Sequence, residues 1–168
     1  MEITEKWNSR YRGRREPPPV SPLLKEFFHL APGPKALDLA CGMGQNAIFL
    51  EEQGFSVDAI DIAEEGLRHL EGREGIRSIC ADLTSYQLPR ESYDLIFCAN
   101  FLERSLIPQI IGGLRPGGVV IYETFTYRRE KFNPDYLLQR NELLHLFLEL
   151  EIIFYSLNGT RAHLVAQR

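Results

Sequence analysis

The chain has 168 residues, 44% hydrophobic and 25% charged, with a formal net charge of −4. That length predicts one domain able to bury roughly 70% of its unfolded surface, and the acidic balance excludes a general attraction to nucleic acid or anionic membrane. No apolar run approaches a membrane span, the polar start Met1–Arg10 does not read as a signal peptide, and Cys41, Cys80 and Cys98 form no C-x-x-C pair; a cytoplasmic protein without zinc or disulfide framework is expected.

Residues 4–11 predict one or two helical turns with Thr4 as N-cap. Arg10, Arg12, Arg14 and Arg15 lead to Pro17–Pro19, a stiff connector. This segment, 1–19, reads either as a solvated arm or as a lid in which Trp7, Arg10 and Tyr11 fold over a ligand site. Pro22–Leu30 suits a helix with proline at its start, ending before Pro32. Lys35–Asn46 then reads strand, tight glycine turn, helix. Asp38 is embedded in the apolar run, Gly42 and Gly44 make the turn, and Ala47, Leu50 and Gly54 share one helical face.

Phe55–Ile60 reads as a strand, Ala63–Leu70 as a helix, Gly75–Cys80 as a strand and Leu83–Arg90 as irregular. Tyr93–Cys98 is the most apolar strand and is expected to be central. A short helix Pro108–Leu114 is stopped by Arg115–Gly118 before a strand Val119–Glu123. A polar, aromatic-rich stretch runs from Thr124 to Arg140, followed by a helix Glu142–Phe147 and a strand Glu151–Leu157. Asn158-Gly159 is a two-residue hairpin signal that makes Arg161–Gln167 antiparallel. The alternation of strands and helices predicts a mostly parallel, doubly wound α/β sheet with its ligand at the carboxyl ends of the strands.

The pattern Gly42-x-Gly44-x-x-Ala47, with Asp61 further along, also matches the dinucleotide fingerprint. Asp38 opposes that ligand, because it sets a carboxylate where a pyrophosphate must lie, and the length leaves no room for a separate substrate domain. A ligand with a cationic centre, one ribose and one adenine fits better. Asp38 attracts the cation, Asp61 accepts both ribose hydroxyls and Asp82 accepts from the adenine amine. The helix start at Gln45–Asn46 meets a carboxylate.

LDLACGMG, VDAIDI, CADL and LRPGGVVIYE resemble the strand-end motifs of class I S-adenosylmethionine-dependent methyltransferases, and the similarity spans Pro34 to Gln167. WNSRY, NFLERSLIPQI and ETF are similar to the small bacterial methyltransferases related to the tellurite-resistance group, in which an N-terminal aromatic and arginine segment helps close the cofactor site. The sequence departs from its relatives at Ala63, where many carry Ser, and at Cys41 and Met43, where Gly or Ser is frequent. The resemblance implies a single domain with a seven-stranded sheet ordered 3-2-1-4-5-7-6, its last strand reversed. It also implies methyl transfer to a small-molecule acceptor, leaving S-adenosylhomocysteine.

Carried onto this chain, the cofactor contacts are Asp38, Ala40, Gly42, Gly44 and Asn46 around the loop, then Asp61 and Ile62 after the second strand. Asp82 and Leu83 follow the third strand, Cys98 and Asn100 end the fourth, and Trp7, Arg10 and Tyr11 lie in the arm. No metal, nucleic acid or membrane partner is expected. No base is assigned, since one is needed only if the acceptor is protonated. The cysteines read as small buried side chains, and the histidines as lying on helices or an edge strand away from the chemistry. Arg104, Glu123 and Tyr127 face a substrate or pack. A dinucleotide-dependent enzyme and a non-catalytic S-adenosylmethionine-binding protein stay open as rival readings.

Overall fold

The computed structural model describes residues 2–168; Met1, the first residue of the polar start, lies outside them. Apolar alternation builds the sheet. In β1 (Lys35–Leu39) Ala36 packs on one face with Val57 and Leu95, while Leu37 packs on the other with Ile60 and Ile96. β2 (Ser56–Asp61) and β3 (Ile76–Cys80) lie on one side of β1, and β4 (Tyr93–Ala99) and β5 (Leu114–Phe125) on the other, all parallel. β7 (Arg161–Gln167) runs antiparallel between β5 and the edge strand β6 (Glu151–Asn158). The seven-stranded order is β3-β2-β1-β4-β5-β7-β6, as the sequence implies. β4 is buried from Tyr93 to Cys98, which places the most apolar segment in the middle.

Helices cover both faces. α2 (Pro22–Phe27) and α3 (Gln45–Glu52) bury Leu23, Leu24, Ala47 and Leu50 on the first face. α4 (Glu64–Leu67) and the 3-10 turn after it add Leu67 and Leu70. On the second face α5 (Ile107–Gly113) and α6 (Glu142–Leu146) bury Ile107, Ile110 and Leu143 against Ile96, Tyr122 and Leu164. Each such side chain contributes about 1.5–3 kcal/mol. At the amino end of the sheet Asp58 accepts from Tyr93 Oη (2.7 Å), Arg77 Nη2 (3.1 Å) and Lys35 Nζ (3.2 Å). Burial raises the Asp58 carboxyl, but these bonds win and hold it below its usual range.

Several boundaries differ from the sequence reading. The first helix, α1 (Ile3–Arg12), begins after Glu2, so Thr4 lies inside it and is not its cap. Leu30 closes a 3-10 turn, Phe28–Leu30, and not the α-helix itself. Gly54 (φ 97°) sits in an exposed turn beyond α3, off the buried face. Arg115–Gly118 does not precede β5 but lies within it, at a register irregularity opposite Tyr93–Leu95. The hairpin slips by one residue: Asn158 pairs with Arg161, and Gly159 (φ 59°) and Thr160 form the turn. His163 therefore lies on an interior strand, and Cys80 is exposed.

Candidate cofactor and acceptor site

Beyond β1 the backbone is left-handed at Ala40 (φ 51°), Gly42 (φ 60°) and Gly44 (φ 80°). A Cβ on Gly44 would run into the Leu70 side chain, and the left-handed backbone there favours glycine. Ala40 has no such exemption and carries roughly 1–2 kcal/mol of backbone strain.

The loop spends its amides inward. Cys41 N donates to Ile60 O (3.0 Å), Gly42 N to Asp61 Oδ2 (2.8 Å) and Gly44 N to Cys41 O (2.9 Å). Asp61 Oδ1 accepts from Ala63 N (2.8 Å), so one carboxylate ties the glycine loop to the start of α4. Asp61 is 6% exposed; burial raises its pKa and the amides of Ala63, Gly42 and Ile62 oppose that rise. Asp38 is 1% exposed, and its Oδ2 is buried without a hydrogen-bond partner. Burial, then the charge of Asp61, push the Asp38 carboxyl well above its usual range, against the amide of Ala47. No side chain caps the N-terminus of α3.

α1 docks beside this loop. Asn8 Oδ1 accepts from Glu65 N (3.1 Å) and Arg12 Nε donates to Glu65 Oε1 (3.3 Å), fixing α1 on α4. Tyr11 Oη lies 3.1 Å from where a Gly42 Cβ would be, and the Tyr11 hydroxyl is pushed up by burial and then by Asp61 and Cys41. Trp7 stacks on Tyr11 (5.8 Å between centroids), with Arg10 5.2 Å over the indole. α1 is thus packed on α4 through Asn8 and Arg12 and on the glycine loop through Tyr11, while Arg10, Arg12, Arg14 and Arg15 are exposed and none of the helix residues is fully buried.

Other expected residues divide. Asn46 is buried and its Oδ1 accepts from Ser21 N (2.9 Å), so its side chain is committed to α2. The Ile62 carbonyl accepts from the exposed Cys80 Sγ (3.7 Å). Asp82 is exposed; Oδ1 accepts from Thr84 N (2.9 Å) and Thr84 Oγ1 (2.7 Å), which hold its carboxyl low. Leu83 is buried beside it. Cys98 is buried on β4, and burial pushes its thiol up to about 12. Asn100 (φ 59°) donates N–H to Glu123 O (2.9 Å) and accepts from Arg161 at Oδ1.

Glu123 is buried at the end of β5, with Arg161 Nη2 3.4 Å from Oε1 and His163 Nε2 3.6 Å from Oε2. Sequence reasoning missed Arg161 and His163, because only the β5–β7 register places them beside Glu123. Arg104 binds Glu142 (2.6 Å) and the carbonyls of Asp135 (2.9 Å) and Leu137 (3.0 Å), which is a packing role. Tyr127 is 41% exposed on the loop after β5. Among the described residues no cluster of His, Cys, Asp and Glu suits a metal ion, and no helix is long and apolar enough to cross a membrane.

Residues 36–118 match the family model described as a methyltransferase domain. Over that segment, about half of the chain, it is similar to methyltransferase domains. Among curated relatives, the chain is 36% identical to Hemagglutinin 1 of Eikenella corrodens over 96 residues, 50% of this chain and 32% of that protein. It is 29% identical to the ubiquinone biosynthesis O-methyltransferase of Idiomarina loihiensis over 104 residues, 55% of this chain and 42% of the relative. The chain spans between 28% and 48% of the length of the curated relatives it matches. In fold it is similar to TehB from Haemophilus influenzae (TM-score 0.82, 18% identity, 96% of this chain and 67% of that one). It is also similar to an S-adenosylmethionine dependent methyltransferase from Mesorhizobium loti (TM-score 0.75, 18% identity, 88% and 96%).

Proposed function

We propose that this chain transfers the methyl group of S-adenosylmethionine to a small-molecule acceptor. One observation carries the reading: the loop that a dinucleotide would need as an anion cradle has turned its amides at Cys41, Gly42 and Gly44 inward, and it stands over two buried carboxylates. A pyrophosphate there finds few donors and two buried carboxyl groups, which it would make still harder to ionise. A cationic ligand finds Asp38 Oδ2 unpartnered, and its bound charge offsets the cost of burying that group.

Asp61 keeps acceptor capacity beyond its two amide bonds, because each carboxylate oxygen has two lone pairs, and this serves the ribose hydroxyls. The uncapped start of α3 suits the ligand's carboxylate. Asp82 and Leu83 edge the adenine, with Ile62 beside them. Ala40 and Cys98 line the middle of the site, and Asn100 borders the acceptor. Tyr11, backed by Trp7 and Arg10, makes residues 1–19 the lid of a single domain. Of the original candidates only Asn46 acts from behind, by anchoring α3 to α2.

When bound, the cofactor supplies an electrophilic methyl on a sulfonium. The protein's part is to hold donor and acceptor in line, worth up to roughly 7–11 kcal/mol in favourable cases. The buried thiols of Cys41 and Cys98 stay protonated at neutral pH and take no nucleophilic role. The test is S-adenosylhomocysteine release on a panel of small acids, thiols and amines. Turnover on at least one acceptor is expected. Tight cofactor binding with turnover on none moves the reading to a non-catalytic binding protein.

A further inference from the structure

Register across the last three strands sets two rows side by side: Glu123, His163 and Ser156, then Phe125, Arg161 and Asn158. Arg161 reaches back along its own row, with its guanidinium 4.8 Å over the Phe125 ring and Asn100 and Glu123 as polar partners. Arg129 arrives from the loop after β5 and also stacks on Phe125, at 3.9 Å, while Phe132 covers it at 4.1 Å. Two guanidiniums therefore share one phenyl ring.

Their charges do not balance locally. Among the described residues one carboxylate, Glu123, lies within salt-bridge distance of the pair; it pairs with Arg161 and is shared with His163, and Arg129 has none. Burial acts against the charge on Arg161, Glu123 opposes it in part, and the neighbouring Arg129 adds a smaller push on the side of burial. Packing alone does not call for this arrangement. A stem-only aliphatic contact would serve the core without placing like charges together. Stacking fixes the planar groups in orientation. Arg161 already gives Nη1 to Asn100 and sets Nη2 against Glu123, whereas among the described residues Arg129 has no side-chain hydrogen bond, so its N–H edge and the remaining N–H groups of Arg161 are available. Such edges match an oxyanion in paired hydrogen bonds. The bond between Arg161 and Asn100 places the pair next to the end of β4, at the border of the proposed cofactor site.

The geometry points to an oxyanion subsite formed by Arg129 and Arg161 on Phe125, so that the methyl acceptor is a small organic anion held by a carboxylate or comparable group. This rests on the methyltransferase reading for the word acceptor, though the anion site itself does not.

The test uses the full chain, loaded with S-adenosylhomocysteine, and follows arginine side-chain N–H resonances by NMR while benzoate, inorganic phosphate or uncharged benzamide is added. Arg129→Gln and Arg161→Gln assign the two signals. Benzoate or phosphate should shift both saturably and benzamide should not. Each substitution should weaken anion binding about tenfold, equivalent to about 1.4 kcal/mol. Arg129→Gln, on the loop outside the sheet, should keep wild-type melting, so it carries the test if Arg161→Gln fails to fold. Unmoved arginine signals with both anions, or equal shifts with benzamide, overturn the subsite. Failure to bind S-adenosylhomocysteine overturns the methyltransferase reading instead, and the same titration on the free protein still decides the anion site.

Discussion

Asp61 offers the most discriminating perturbation. Its two oxygens accept from Gly42 N and Ala63 N, each at 2.8 Å. Asp61→Asn keeps the shape but has one acceptor oxygen, so its NH2 must face one of those donors. A charge-assisted bond contributes about 1.5–3 kcal/mol. Part is returned because the amide avoids the burial cost that raises the Asp61 pKa. A net loss of about 1–2 kcal/mol lowers Tm by about 2–8 °C in a chain of this size. Asp61→Ala removes both bonds and should cost about 2–4 kcal/mol. If Asp61 also holds the ribose, Asp61→Ala weakens S-adenosylhomocysteine binding on the order of 30- to 1000-fold, and Asp61→Asn by less. Were Asp61 only a helix cap, Asn would serve as well as Asp. The observed geometry removes that escape, since the cap position belongs to Ala63. Thermal melts paired with calorimetry decide the matter, and an Asp61→Asn protein with wild-type Tm and wild-type affinity would refute the reasoning.

Asp38 has a folded pKa raised above its unfolded value of 3.8, so its contribution to stability is full below that pH and is lost as pH rises. Tm of the ligand-free protein should therefore fall between pH 4 and 8, and Asp38→Asn should flatten that fall while weakening S-adenosylmethionine binding at least about tenfold; identical pH slopes would contradict this. Deleting residues 1–12 removes a helix with no fully buried residue, so Tm should drop by only a few degrees while cofactor affinity falls; melts with and without ligand separate this from a core role, which unfolding of the free protein would reveal. Ala40→Gly relieves the left-handed strain, less the cost of a more flexible unfolded chain, and should raise Tm by about 1–4 °C. A fall in Tm would show that the Ala40 methyl matters more to packing than its backbone angle does.

The strands and helices were legible because their signals are local: a β4 apolar but for Asp94, acidic residues at or next to the ends of β1 and β2, and a glycine signal beside the final reversal. The order of the sheet came from the family resemblance. Boundaries were less so. The Arg115–Gly118 stretch reads as a breaker, yet a register irregularity accommodates it within β5. In the site, Asp38 and Asp61 stood out as carboxylates in apolar strands. Asn46 misled, because its partner Ser21 is brought near only by the packing of α2 on α3. Arg129 and Arg161 were invisible for the same reason: one follows β5 and the other opens β7, and their shared ring is a product of cross-strand register.

The central claim is that the site beneath the glycine loop takes a cationic adenosine ligand rather than a dinucleotide. Calorimetric titration of the wild-type chain with S-adenosylmethionine and with NAD tests it most directly. One-site binding of S-adenosylmethionine in the micromolar range, with no heat from NAD, is the predicted result; tight NAD binding with S-adenosylmethionine silent would contradict it.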